Sequence, residues 1–298
     1  MTPYLCMLAA AFLWGSSFIA GKFALVMLSA PTIVLLRFVI ASVFWLPIFA
    51  REWRALSRPQ WVSMLTLAFL MIPATFLLQF IGLSLTSASS AALMMGFEPL
   101  MVVVLGWLIW GERATRSNVV YCSMATFGVL LVMGYPDGAH FLGCLLVLIS
   151  SSLVGISVRW SKRWMNVLPV NTFTALNTVS GTAMMLPTLL ILGFVMPSSP
   201  SAATHWTGGG IAALLYLGVG CSLGASWLWN KGVNEVEANT GGLFLALEPV
   251  FGFVLATWLL HEVVSLRVML GAALVILPML LSALESSGLF RAFARRGV

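Results

Sequence analysis

The sequence predicts an all-α integral membrane protein of ten transmembrane helices, arranged as two inverted five-helix repeats. Three observations carry that reading. Of 298 residues, 60% are hydrophobic and 8% charged. A globular chain has about half apolar and a quarter charged residues, so little is left here to build a water-facing surface. Apolar stretches of the roughly 20 residues needed to cross a hydrocarbon core recur along the whole chain. The third observation is internal repetition: SASSAALMMGFEPLMVVVLGWLIWGE, residues 87–112, falls without a gap, at a shift of 150, within VEANTGGLFLALEPVFGFVLATWLLHE, residues 236–262.

Taken in order, spans are expected near residues 5–24, 31–50, 61–82, 88–110, 117–135, 140–160, 169–194, 208–228, 239–260 and 266–285. The first begins MTPYLCMLAAAFLWGSSFIAGK, which lacks the basic leader of a secretory signal and any clear small-residue cleavage site, so it reads as a retained helix. SRPQ precedes the third span, GERATRS follows the fourth, YPDGAH the fifth and MPSSPSAATHW the seventh; each combines turn formers with charge or polarity. Strands of an outer-membrane barrel would alternate over about ten residues, whereas these runs are long and continuously apolar.

The repeat divides the spans five and five. Glu98 falls on Glu248, Pro99 on Pro249 and Glu112 on Glu262, and Gly82 and Ala88 fall on Gly232 and Ala238. The earlier spans align more weakly at a shift near 138, where Pro31 falls on Pro169. Residues 1–136 are the expected first repeat, 137–287 the second, and 288–298 a basic tail. An odd number of spans per half makes the second half cross the membrane upside down, and a site at the midplane between such halves is a transporter architecture.

Basic residues set the expected orientation, because Lys and Arg near span ends are retained in the cytoplasm. With both termini inside, the cytoplasmic segments hold Arg51, Arg54, Arg58, Arg113, Arg116, Arg159, Lys162, Arg163, Lys231, Arg291, Arg295 and Arg296, against only Lys22 and Arg267 outside. The formal charge of +6 is thereby explained by topology in an inner membrane, and nucleic-acid binding is not implied.

An ionisable side chain at midspan is a functional hypothesis by default. Glu98 and Glu248 lie about eleven residues into their spans, and each precedes a proline that frees the carbonyl four residues back, Met95 or Leu245. The expected product is a kinked helix offering a carboxylate and loose carbonyls to an ammonium group or a proton; packing between helices is the alternative use. A protonatable group that faces alternately in and out is what proton antiport requires, so Glu98 and Glu248 are also the expected proton-coupling residues. Arg37, within the second span, could hold a substrate carboxylate with its fork or serve as a structural partner to a carboxylate or a helix end. If Arg37 and a glutamate share a cavity, the site suits a zwitterion.

Trp14, Phe18, Phe76, Phe80, Trp107 and Trp227 are candidates for an apolar or cation-attracting wall. Trp45, Trp53, Trp61, Trp110, Trp164 and Trp206 fall near span ends and are expected in the interfacial belt. Gln79 and Asn177 rank above Ser16, Ser17, Ser222 and Ser226 as polar contacts for a substrate, since an amide is costlier to bury. The four cysteines sit singly in apolar runs, no His or Cys cluster has metal spacing, and no cofactor is implied. No HExxH, GxSxG or phosphate-binding glycine pattern occurs, which argues against an enzyme.

FLWGSSFIAGK in the first span, LLRFVIAS in the second, EPLMVVVLGWLIWGE in the fourth and EPVFGFVLATWLLHE in the ninth together resemble the EamA-type branch of the drug/metabolite transporter superfamily. The resemblance covers essentially the whole chain, and it implies a ten-helix inverted-repeat secondary carrier that typically exports amino acids or other small metabolites; separately, a monomer or weak homodimer is expected. Two positions break the internal symmetry: Gly271 has Tyr121 as counterpart, and Ala175 stands where Arg37 would be repeated. The function expected is export of amino acids or amino-acid-derived zwitterions by alternating access, with Arg37, Glu98, Glu248, Trp14, Phe18, Gln79, Asn177 and Trp227 contacting the substrate. The alternative is a multidrug exporter of lipophilic cations.

Overall fold

The computed structural model describes residues 2–98, 100–101, 104, 115–133, 138–195, 206–236, 241 and 244–286. Among these the chain forms ten helical segments: α1 (Pro3–Leu25), α2 (Ala30–Glu52), α3 (Arg58–Leu85), α4 (Ala88–Met95), α5 (Arg116–Met133), α6 (Gly138–Met165), α7 (Val170–Val195), α8 (Gly208–Asn234), α9 (Leu247–Leu259) and α10 (Leu266–Ser286). Seven of them are long and apolar enough to cross a membrane, and α9 and α10 contribute shorter apolar stretches. The predicted Pro99, Trp107, Trp110, Glu112 and Arg113, and the tail from 287, lie outside the described residues.

Helix starts follow the local chemistry. Pro3 and Pro31 stand in the first turns of α1 and α2, where a missing N–H costs nothing. The side chain of Gln60 accepts the Ser57 N–H at 2.8 Å and closes the start of α3, while Ser87 Oγ accepts the Ser90 N–H at 3.1 Å at the start of α4. Thr207 plays the same part for α8, accepting the Gly210 N–H at 3.1 Å.

Two long helices are wound unevenly. In α3, Leu70–Ala74 is π-helical around Pro73, which cannot donate to the preceding turn; Thr75 Oγ1 donates to the Leu70 carbonyl at 2.7 Å instead. In α8 the π-helical stretch is Tyr216–Gly224, which contains Gly218, Gly220 and Gly224. α3 and α8 occupy corresponding places in the two halves.

The packing pairs reveal the internal twofold. α2 packs on α7, α4 on α9 and α5 on α10, each helix on its own counterpart, and α1 packs on α8 as α3 does on α6. Where α3 meets α6 the backbones touch: a Cβ on Gly82 would lie 2.6 Å from the Gly143 carbonyl oxygen, and one on Gly143 2.7 Å from that of Gly82. Close approach of small residues is how helices associate where no hydrophobic force separates them from lipid. Large apolar side chains such as Val43, Phe44, Leu190, Trp258 and Leu270 face outward, as a lipid-facing surface requires. Trp45 and Trp164, expected in the interfacial belt, are instead packed inside at 7% and 8% exposure, whereas Trp53 and Trp206 are exposed.

Candidate transport site

Both midspan glutamates sit at helix breaks. α4 ends at Met95, turns through Gly96 and Phe97, and resumes at Glu98; the later segment turns at Ala246 and α9 begins at Leu247. The kinks expected at these positions are therefore interruptions. Pro249 falls in the first turn of α9, where it removes no helical bond. Glu248 stands in that same turn, beside the unpaired N–H groups whose partial positive charge suits a carboxylate. Glu98 and Glu248 are 2% and 6% exposed and lie within electrostatic reach of one another.

The breaks open onto a cavity of about 450 Å³, lined by Glu98 and Glu248 together with Trp14, Gln79, Asn177 and Trp229 among others. That volume falls in the usual range for small-molecule sites. The cavity runs from the two glutamates to the end of the bundle marked by Lys162, Arg163 and Asn166 at the close of α6. At the opposite end the helices are tied together. Lys22 of α1 donates to the Thr86 carbonyl, Thr86 Oγ1 meets His140 Nδ1 at 2.8 Å, and the Glu262 carboxylate accepts the Ala88 and Ser89 N–H groups at 2.8 and 3.0 Å.

Inside the cavity, two buried acceptors lack a donor among the described residues. Glu98 Oε1 and Asn177 Oδ1 are buried with no hydrogen-bond partner, while Asn177 Nδ2 and Ser161 Oγ both donate to the Met71 sulfur, at 3.5 and 3.2 Å. A buried acceptor left unpaired costs about 1–3 kcal/mol, so these oxygens favour a ligand that brings N–H groups. The rings of Trp14 and Trp229 lie 5.5 Å apart on one wall, with Trp14 Nε1 fixed to the Cys221 carbonyl at 3.1 Å. α1 crosses α9 here at the closest distance: a Cβ on Gly15 would lie 2.6 Å from the Glu248 carbonyl oxygen.

Of the residues expected to contact a substrate, Glu98, Glu248, Trp14, Gln79 and Asn177 line this cavity; Arg37, Phe18 and Trp227 do not. Phe18 is buried in the core, where it abuts Gly252. Trp227 faces away, donating to Asn171 Oδ1 at 2.9 Å and carrying the Lys231 ammonium over its ring; its near neighbour Trp229 takes the cavity position. Ser17 and Ser226 also line it, whereas Ser16 bonds Tyr216. The sequence does not single out Trp229, Met71 or Asn230; which faces of α3 and α8 meet the cavity depends on the phase of those two helices.

Among the described residues, Arg37 is the largest fully buried side chain. Its Nε donates to Ser222 Oγ at 2.7 Å, and its guanidinium carbon lies 4.8, 5.0 and 5.4 Å from the ring centres of Phe76, Phe80 and Phe38. Among the described residues Nη1 and Nη2 have no partner. Three ring contacts are worth about 0.5–2 kcal/mol each, against several kcal/mol for burying an ion, so the cage offsets only part of the cost of burying the guanidinium.

The EamA-like transporter family profile matches residues 1–134 and 141–284. The chain belongs to the EamA-like transporter family. Within it, the chain is 40% identical over 129 residues to an uncharacterized transporter of Haemophilus influenzae, covering 43% of this chain and 72% of that one. An uncharacterized transporter of Archaeoglobus fulgidus is 26% identical over 265 residues, covering 84% and 86%. The uncharacterized transporter YetK of Bacillus subtilis is 24% identical over 288 residues, covering 93% and 85%. One solved crystal structure matches with a TM-score of 0.65 at 20% identity, over 96% of this chain and 98% of that one, and shares the fold. This EamA-like protein is thus a multi-pass membrane transporter, and the cavity holding Glu98 and Glu248 is its candidate substrate site.

Proposed function

We propose that the protein is a secondary active carrier of the inner membrane that exports amino acids or small amino-acid-derived metabolites by alternating access. One observation carries the substrate class: Glu98 Oε1 and Asn177 Oδ1 are buried acceptors without donors in a cavity that also holds Glu248. A primary ammonium group supplies three N–H donors and a charge, meeting both needs at once. With the Lys162–Asn166 end in the cytoplasm, as the distribution of basic residues expects, the cavity faces inward and cargo enters from the cell. Rocking of the halves then closes that end and opens the one tied by Lys22, Thr86 and Glu262. Protonation of Glu98 or Glu248 on the outer side releases the amine and resets the carrier, which makes the exchange proton-coupled.

A second reading, export of lipophilic cations, is favoured by the aromatic pair Trp14 and Trp229 and by the position of Arg37 outside the cavity. The two readings part over N–H donors, because a quaternary cation leaves the orphan oxygens unpaired. Proteoliposome counterflow of labelled amino acids, their decarboxylated amines and a quaternary ammonium tests this. Uptake of primary amines or amino acids that Glu98→Gln weakens supports the metabolite carrier; uptake of the quaternary ion alone replaces it with the cation exporter.

A further inference from the structure

Arg37 stands behind the cavity, not in it, and its environment asks for something the protein does not provide. The side chain is fully buried, Ser222 engages only Nε, and both terminal nitrogens are unpartnered. Such a fork presents two parallel N–H directions, the geometry that binds a carboxylate or a single halide. Phe76 and Phe38 touch the guanidinium on one side and line the cavity on the other, their rings 4.8 Å apart and edge-on to one another. Phe76 and Phe38 therefore adjoin both the fork and the cavity. Phe76 lies two residues after the π-helical turn Leu70–Ala74, where the α3 backbone departs from regular α-helical winding.

We propose that Arg37 and Ser222 form a second binding site, for a small monovalent anion, which is reached from the cavity when the Phe76 ring turns aside. The anion has one of two sources, the carboxylate of the cargo itself or free chloride. The first rests on the carrier reading above; the second does not. The phenyl cage excludes larger polyanions, because three apolar rings leave a phosphate's remaining oxygens without donors.

Thermal unfolding of the purified protein in detergent, at constant ionic strength, tests the site without requiring transport. Sodium gluconate is replaced stepwise by sodium chloride or sodium acetate, and in a third series glycine, a neutral zwitterion, is added to the unchanged gluconate buffer. The expected result is a saturable rise in melting temperature of about 2–4 °C with at least one of the three, absent in Arg37→Met. Chloride acting alone identifies a resident halide, and acetate and glycine acting without chloride identify the cargo carboxylate. Ser222→Asp supplies a tethered carboxylate to the fork and should abolish the anion dependence while keeping the protein at least as stable. Equal melting temperatures in all four conditions, or a rise that persists in Arg37→Met or in Ser222→Asp, overturns the proposal. Because Ser222→Asp fills the site and does not delete it, the test holds even where Arg37→Met does not fold. Failure of this site would leave the counterflow result at Glu98 untouched.

Discussion

Replacing Glu262 with alanine should tip the carrier toward its opposite-facing state. Glu262 belongs to the second half of the chain, yet its carboxylate caps α4 in the first, accepting the N–H groups of Ala88 and Ser89 at 2.8 and 3.0 Å. Lys22, which donates to the Thr86 carbonyl, lies within its electrostatic reach. The turn that aims it is left-handed: His261 has φ of 49° just after the C-terminus of α9. These contacts close the end of the bundle away from the cavity mouth, so in an alternating-access cycle they must break. Loss of a side-chain cap costs about 1–2 kcal/mol, and that difference multiplies the population of the open form by roughly 5 to 30. The assay is labelling of Ser17→Cys, a cavity position, by a membrane-impermeant thiol reagent applied from outside, in a background without Cys6, Cys122, Cys144 and Cys221. Glu262→Ala should accelerate labelling by the same factor. A rate within twofold of the parent, with only the melting temperature lowered, would show that the cap is structural and that the reasoning about the closed end is wrong.

Four further outcomes are expected. Glu98→Gln and Glu248→Gln should each weaken amine cargo by about 10- to 100-fold in counterflow KM, the worth of a charge-assisted bond in a buried site, and should blunt stimulation by an inwardly directed proton gradient; unchanged proton dependence in both removes them as coupling groups. Gly15→Ala forces a Cβ to within 2.6 Å of the Glu248 carbonyl, so a destabilisation of about 1–3 kcal/mol is expected, read as a lower melting temperature together with lost transport. Trp229→Ala should impair transport far more than Trp227→Ala, because only Trp229 lines the cavity; the reverse order would place the substrate elsewhere. His261→Gly should be neutral or stabilising by up to about 1 kcal/mol, since glycine adopts the left-handed conformation without strain, and a clear loss of stability would indicate that the imidazole has a role of its own.

What the sequence made legible follows from how expensive each feature is in a membrane. Two carboxylates at midspan, each before a proline, stand out against an apolar background, and the structure brings both to one cavity with Gln79, Asn177 and Trp14. Side-chain facing was less legible. Trp227 and Trp229 are two positions apart, on different sides of an α-helix, and the choice between them depends on the phase of α8. That phase is reset by the π-helical stretch Tyr216–Gly224, which a hydrophobic pattern does not announce. Glu262 was visible as the repeat partner of Glu112, but its use as a cap depends on the tertiary approach of α9 to α4, which no local pattern encodes.

The departure from symmetry at Arg37 bears on how a symmetric scaffold acquires a direction. Because α4 packs on α9, its own counterpart, Glu98 and Glu248 straddle the internal twofold, and in the proposed rocking cycle they exchange roles. A site built from that pair alone would present the same face to either side of the membrane. Arg37 has Ala175 as its counterpart, and it bonds across to Ser222 in the unevenly wound part of α8. The repeat therefore offers no symmetric substitute for it, and in the proposed cycle it stands differently to the cavity in the two states. An anion held there stabilises one state over the other by its differential affinity, and by no more than that. In the proposed cycle the glutamates supply recognition common to both faces, and the arginine site supplies the inequality between them.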